Sequence, residues 1–167
     1  VPEQYSHEAE RELCAACGDS MSLHAEVLSF TRLSRRICDM LGSSRRLMSA
    51  SARALVLARA LDAVGARLKV FAAARRSDDM QRALLAAVTE LKLANVTPER
   101  LDEEAQRGSE PLYDKLGDLA VILGAYDAMA QRGELDPADR ITALARSIDG
   151  APQLELGDYF IDGFTDF

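Results

Sequence analysis

Between residues 51 and 74, Leu57, Leu61, Val64, Leu68 and Phe71 recur at steps of four and three. At 3.6 residues per turn this spacing lines them along one side of a helix. The stretch therefore predicts a long amphipathic helix that must bury its stripe against other helices. The rhythm returns in Met80, Leu84, Val88 and Leu91, then in Leu112, Leu116, Leu119, Leu123 and Tyr126, and again in Ile141, Leu144 and Ile148. Helices are predicted over 78–94 and 112–131, and after Asp136-Pro137. Thr97-Pro98-Glu99 starts another, with a capping hydroxyl, a proline in the first turn and an acid near the positive helix end. Ser6 is placed to cap a helix reaching Cys17. Residues 31–41 read as a helix stopped by Gly42. Only 5% of residues are aromatic and Trp is absent, which also favours helices over a β-sandwich.

Two runs break the rhythm. Residues 25–30 (AEVLSF) and Tyr159-Phe160-Ile161, just before Asp162-Gly163, have the short apolar character of buried strands. The expected architecture is mainly α, with residues 49–150 a helical insertion bridging two strands of one small sheet, from 1–48 and 151–167.

Other features narrow the chemistry. With 20 basic and 27 acidic residues, the net charge is −7, which argues against a generic basic DNA-coating surface. Arg32, Arg35 and Arg36 leave room for a local basic groove. No export signal and no apolar run of 18 residues is present, so a cytoplasmic protein with no membrane contact is expected. The three cysteines, Cys14, Cys17 and Cys38, fit a reduced compartment. Cys14 and Cys17 form a CxxC, but a structural zinc needs four ligands and only His7 and His24 lie near. Both cysteines fall in a predicted helix and read as small residues facing a core. No metal site is expected. Nothing resembles a nucleophile arrangement, a GxxxxGK phosphate loop or a dinucleotide fingerprint. Asp102-Glu103-Glu104 reads as a solvated helix face.

Three segments carry more information together than apart: VPEQYSHEAERELC, then AEVLSFTRLSRRIC, and the terminal FIDGFTDF. In this order and spacing the chain resembles the N-terminal region of the AddB family, the B component of the ATP-dependent helicase/deoxyribonuclease of bacterial double-strand-break repair. LKVF at Leu68, ELK at Glu90 and KLGDLAVIL at Lys115 support the match, which covers essentially the whole chain.

The resemblance implies a truncated helicase-like, P-loop-type α/β domain whose motor has decayed. In a working motor the strand ends in Asp-Glu, with the Asp on the magnesium side and the Glu activating water. Here Asp162 keeps its position and Gly163 replaces the base, so no catalytic residue and no ATP turnover are expected. ATP and magnesium, an iron–sulfur cluster and a nuclease metal are implied elsewhere in the longer protein, and no cofactor in this chain. The implied partners are single-stranded DNA and an AddA-type helicase-nuclease subunit. Glu3, Gln4, Ser6, Phe30, Arg32, Arg35 and Phe167 match the positions that bind DNA and read the Chi sequence. Arg35 departs from the family, which often has Trp there. Two alternatives stay open: a structural helical module that docks the partner, and an active ATPase cut from its phosphate loop.

Overall fold

The computed structural model describes residues 1–42, 45–151 and 157–165. Among them are seven α-helices: α1 (Ser6–Cys17), α2 (Phe30–Met40), α3 (Ala50–Val64), α4 (Asp78–Leu93), α5 (Pro98–Arg107), α6 (Leu112–Ala130) and α7 (Arg140–Asp149). None of them is long and apolar enough to cross a membrane. The chain divides into two compact units, Arg45–Arg140, and Val1–Ser44 with Ile141–Phe167.

In the Arg45–Arg140 unit, α5 packs along α6, and α3 lies against both α4 and α6. The apolar stripes meet there: Leu57 and Leu61 of α3, Val88 of α4, and Ile122, Leu123 and Tyr126 of α6 are buried almost completely. Local chemistry starts the helices. Ser49 accepts a hydrogen bond from the Ala52 amide at 3.1 Å, and Thr97 from the Arg100 amide at 3.3 Å. Such caps contribute about 1 kcal/mol each.

The helix expected to reach residue 74 ends at Val64. A 3-10 turn follows at Gly65–Arg67, and the chain then crosses α6. There Asp118, only 4% exposed, accepts the backbone N–H groups of Lys69, Val70 and Phe71 at 2.7–3.0 Å. A carboxylate that captures three successive amides removes the donors a continuing helix needs. Leu68 still reaches the core, but from a loop.

A polar seam crosses the same core. Asp136 accepts from the Tyr126 hydroxyl at 2.6 Å and from the Ala138 amide at 2.9 Å. Arg53 Nε lies 3.2 Å from Asp136 Oδ1 without hydrogen-bond alignment, and its Nη2 donates to Thr89 at 2.7 Å. Lys92 of α4, 9% exposed, pairs with Asp127 and, at 2.9 Å, with Asp139. Burial alone disfavours the Lys92 ammonium, but the two carboxylates outweigh it and hold its pKa above the ordinary value. Burial, then the bond to Asp136, pushes the Tyr126 phenol up.

The mainly α expectation holds, but the sheet does not. Among the described residues the one β-type pairing is a parallel bridge between Leu47 and Leu135. Met48 donates to the Leu135 carbonyl at 2.9 Å, and Leu135 to that of Arg46 at 2.8 Å. This bridge ties together the two ends of the Arg45–Arg140 unit. Residues 25–29 form no regular element, and Phe30 is the first residue of α2. Tyr159, Phe160 and Ile161 are 51%, 91% and 59% exposed. An apolar run becomes a strand only when a neighbour takes its amides and carbonyls. Among the described residues the Val1 amino group donates to the Leu28 carbonyl at 3.1 Å, but no β-bridge forms along either run.

A second correction concerns the CxxC. α1 buries none of its residues, Cys14 is half-buried and Cys17 is exposed. The pair does not face a core. Among the described residues no group of three or more His, Cys, Asp and Glu side chains is placed to hold a metal.

Candidate nucleic-acid interface

In the other unit, a 3-10 turn at Glu3–Tyr5 leads directly into α1. Ser29 anchors the neighbouring helix. It is 2% exposed, accepts from the Arg32 amide at 3.3 Å, and donates its hydroxyl to Glu3 Oε2 at 2.6 Å. One buried serine therefore caps α2 and ties the start of the chain to it.

The spacing within α2 then fixes which side chains point outward. Ser34 and Ile37 are buried, while Arg32, Arg35, Arg36 and Asp39 share the opposite face and line a shallow cleft of about 480 Å³. Arg36 is paired with Glu26 at 2.5 Å across the cleft. Arg32 and Arg35 are exposed and make no ion pair among the described residues. The cleft thus holds two unpartnered guanidinium groups against the single remaining carboxylate of Asp39.

A second cleft, about 520 Å³, is lined by Pro2, Gln4, Tyr5, Gly163, Phe164 and Thr165. Phe30, at the N-terminus of α2, is 39% exposed, and its ring centroid lies 5.3 Å from that of Phe164 at a 40° tilt. Gly163 has φ +79°, and a Cβ there would sit 3.2 Å from Pro2 Cδ. Glycine at this position therefore has a backbone reason. Asp162 Oδ1 accepts the Gly163 amide at 2.8 Å.

The residues expected to contact DNA separate into two kinds. Gln4, Arg32 and Arg35 present exposed polar groups at the clefts, and Phe30 shows part of its ring. Glu3 and Ser6 are engaged within the fold: Glu3 holds Ser29, and Ser6 donates to the Glu3 carbonyl at 2.9 Å. Phe167 lies outside the described residues. Sequence reasoning missed Phe164, the ring against Phe30, and Tyr5, which is 49% exposed at the second cleft. The signal for Phe164 was its place directly after the Asp162-Gly163 turn. A serine directly before α2 is a local signal for its cap, but the burial of Ser29 depends on a contact 26 residues away.

Over its whole length, residues 1–167, the chain matches the family model described as ADDB, N-terminal. It is 31% identical over 169 residues to the B component of the ATP-dependent helicase/deoxyribonuclease of Thermoanaerobacter pseudethanolicus, an alignment covering 100% of this chain and 15% of that protein. To the protein of the same name from Heliobacterium modesticaldum it is 32% identical over 173 residues, covering 100% of this chain and 14% of the relative. With that of Clostridium perfringens the identity is 28% over 169 residues, covering 100% and 15%. The chain thus spans about 15% of the length of these relatives.

Proposed function

Because the chain belongs to the AddB N-terminal family, we propose that it forms part of the single-stranded DNA path of a bacterial repair helicase-nuclease. In this reading the Val1–Ser44 and Ile141–Phe167 unit contacts the strand while its sequence is read for a Chi-type signal. Chemical work is left to an AddA-type motor subunit and to cofactors bound elsewhere in the longer protein. The helical insertion expected at 49–150 corresponds in this reading to the Arg45–Arg140 unit, with α7 beyond Arg140 going to the other unit.

One observation carries the proposal. Arg32 and Arg35 are exposed without ion-pair partners among the described residues on the outward face of α2, while Phe30, the first residue of the same helix, shows part of its ring from the Ser34–Ile37 side, against Phe164. A guanidinium group grips a phosphate or a guanine edge through paired N–H donors. A partly exposed ring offers a stacking surface worth roughly 1–3 kcal/mol per unpaired base. Exposed charge and a partly exposed ring carried on one short helix suit a single strand that can wrap around it better than a duplex. Hydrolysis of a nucleotide at the Asp162-Gly163 turn is not supported. Gly163 has no side chain to act as a base, and the Asp162 carboxylate accepts its own neighbour's amide.

Arg32→Ala in the full-length protein, assembled with its motor partner, is expected to weaken single-strand binding about tenfold, roughly 1.4 kcal/mol. It should also lower the slope of log K against log salt by about 0.7. Phe30→Ala should weaken binding without changing that slope. Fluorescence anisotropy across a salt series reads both quantities. Wild-type affinity in both variants, joined to weaker assembly with the partner, would favour the docking-module alternative.

A further inference from the structure

We infer that the Arg45–Arg140 unit carries a separate, sequence-independent contact to the DNA backbone, made by Arg67, Arg75 and Arg76 between α3 and α4. The inference rests on the DNA reading above. Residues 63–77 contain Arg67, Lys69, Arg75 and Arg76 and no Asp or Glu, in a chain of net charge −7. Many other cations of this unit are neutralised: Arg46 by Glu134, Arg53 by Asp136, Arg82 by Asp79, Lys92 by Asp127 and Asp139, and Arg107 by Glu104. Lys69 is likewise held by Asp114 at 2.6 Å. Arg67, Arg75 and Arg76 are exposed and make no ion pair among the described residues. The flanking acids are Asp62 and Asp78.

The three guanidinium groups sit on a built loop. Two 3-10 turns, Gly65–Arg67 and Ala74–Arg76, both pack on α3. They also meet each other, since a Cβ at Gly65 would lie 3.6 Å from Arg75 Nη1. The chain between them is fixed from below by Asp118, through the amides of Lys69, Val70 and Phe71. A backbone held this firmly has little ordering entropy left to lose on binding, so the cost is confined to the arginine side chains. Like charges carried on one short loop with no acid among them repel one another, and a phosphate chain relieves that repulsion. Bidentate guanidinium–phosphate contacts are the strongest polar contacts available to them. The only aromatic residue of the loop, Phe71, packs on the core. The nearby Tyr113 ring of α6 is 43% exposed but is faced by Lys69 Nζ at 5.6 Å, so the loop's contact positions the backbone and reads no sequence.

The test uses the full-length protein in its complex and a mixed-sequence duplex with a single-stranded tail. Combining Arg67→Gln, Arg75→Gln and Arg76→Gln should weaken binding at least tenfold at low salt, equally for every sequence. The salt slope should fall by about 2–3, one released counterion for each lost phosphate contact. Lysine at all three positions should keep most of that slope. Should the triple variant not fold, Arg67→Gln and Arg76→Gln singly should each lower the slope by about 1. An unchanged slope in an assembled complex overturns the inference. So does a glutamine variant that loses its partner subunit while assembled molecules bind DNA normally, which would assign the loop to an acidic protein surface. If Arg32→Ala weakens binding and the loop variants do not, only this inference falls. If none of them weakens binding, the DNA reading falls with it.

Discussion

Asp136→Ala is expected to destabilise the chain by about 3 kcal/mol in urea denaturation, the lower part of the range for breaking a buried ion pair. The reason lies in what the substitution strands. Asp136 is 1% exposed and neutralises Arg53, whose side chain is 16% exposed. It also accepts from the Tyr126 hydroxyl and the Ala138 amide. Alanine leaves three donors facing a small void. Arg53 keeps its bond to Thr89 and some solvent, which limits the loss. Tyr126→Phe removes one hydrogen bond and strands only part of a carboxylate that retains two other partners. It should cost about 1–2 kcal/mol. Equal losses for the two variants would mean that Arg53 re-solvates freely and that the seam is not a network.

Asp118→Ala should cost a similar amount, about 3 kcal/mol, since hydrogen bonds to a charged acceptor contribute roughly 1.5–3 kcal/mol each before discounting for exposed donors. Lys69 and Val70 are exposed, so water replaces part of what their amides lose. Phe71 is half-buried against the core and recovers less. Asp118→Asn keeps one acceptor oxygen and should fall between alanine and wild type. The same substitution separates two accounts of DNA binding. Removing an acid strengthens binding if only net charge matters. It weakens binding if Asp118 holds Arg67, Arg75 and Arg76 in place. Weaker binding by Asp118→Ala in the full-length complex, at a temperature where the protein stays folded, is the expected result.

Features that depend on nearby residues were legible in the sequence. The helices over 78–94 and 112–131 appear as Asp78–Leu93 and Leu112–Ala130, and the Thr97-Pro98 start appears as the cap of α5. Each rests on periodicity or on a capping side chain within three residues. The end of α3 was not legible, because Asp118 lies 47–49 residues from the amides it takes. Leu68 and Phe71 kept the helical spacing while occupying a loop, so periodicity alone was misleading there. The two apolar runs read as strands because composition records the taste for burial and not the presence of a pairing neighbour. At the interface, the outward face of α2 could be read because Arg32, Arg35, Arg36 and Asp39 follow helical spacing once the helix is placed. That Glu3 spends its carboxylate on Ser29 could not be read, since Ser29 becomes its neighbour only on folding, whereas the Ser6 bond to the Glu3 carbonyl spans only three residues.

The most direct measurement is photo-crosslinking from 4-thiothymidine placed along the single-stranded tail of a DNA bound to the intact complex, followed by peptide mapping. Crosslinked peptides should contain Gln4 and Tyr5, or Phe30 through Arg36, with yields that fall in Arg32→Ala. Crosslinks confined to other parts of the longer protein, at every tail position, would contradict a DNA path along this chain.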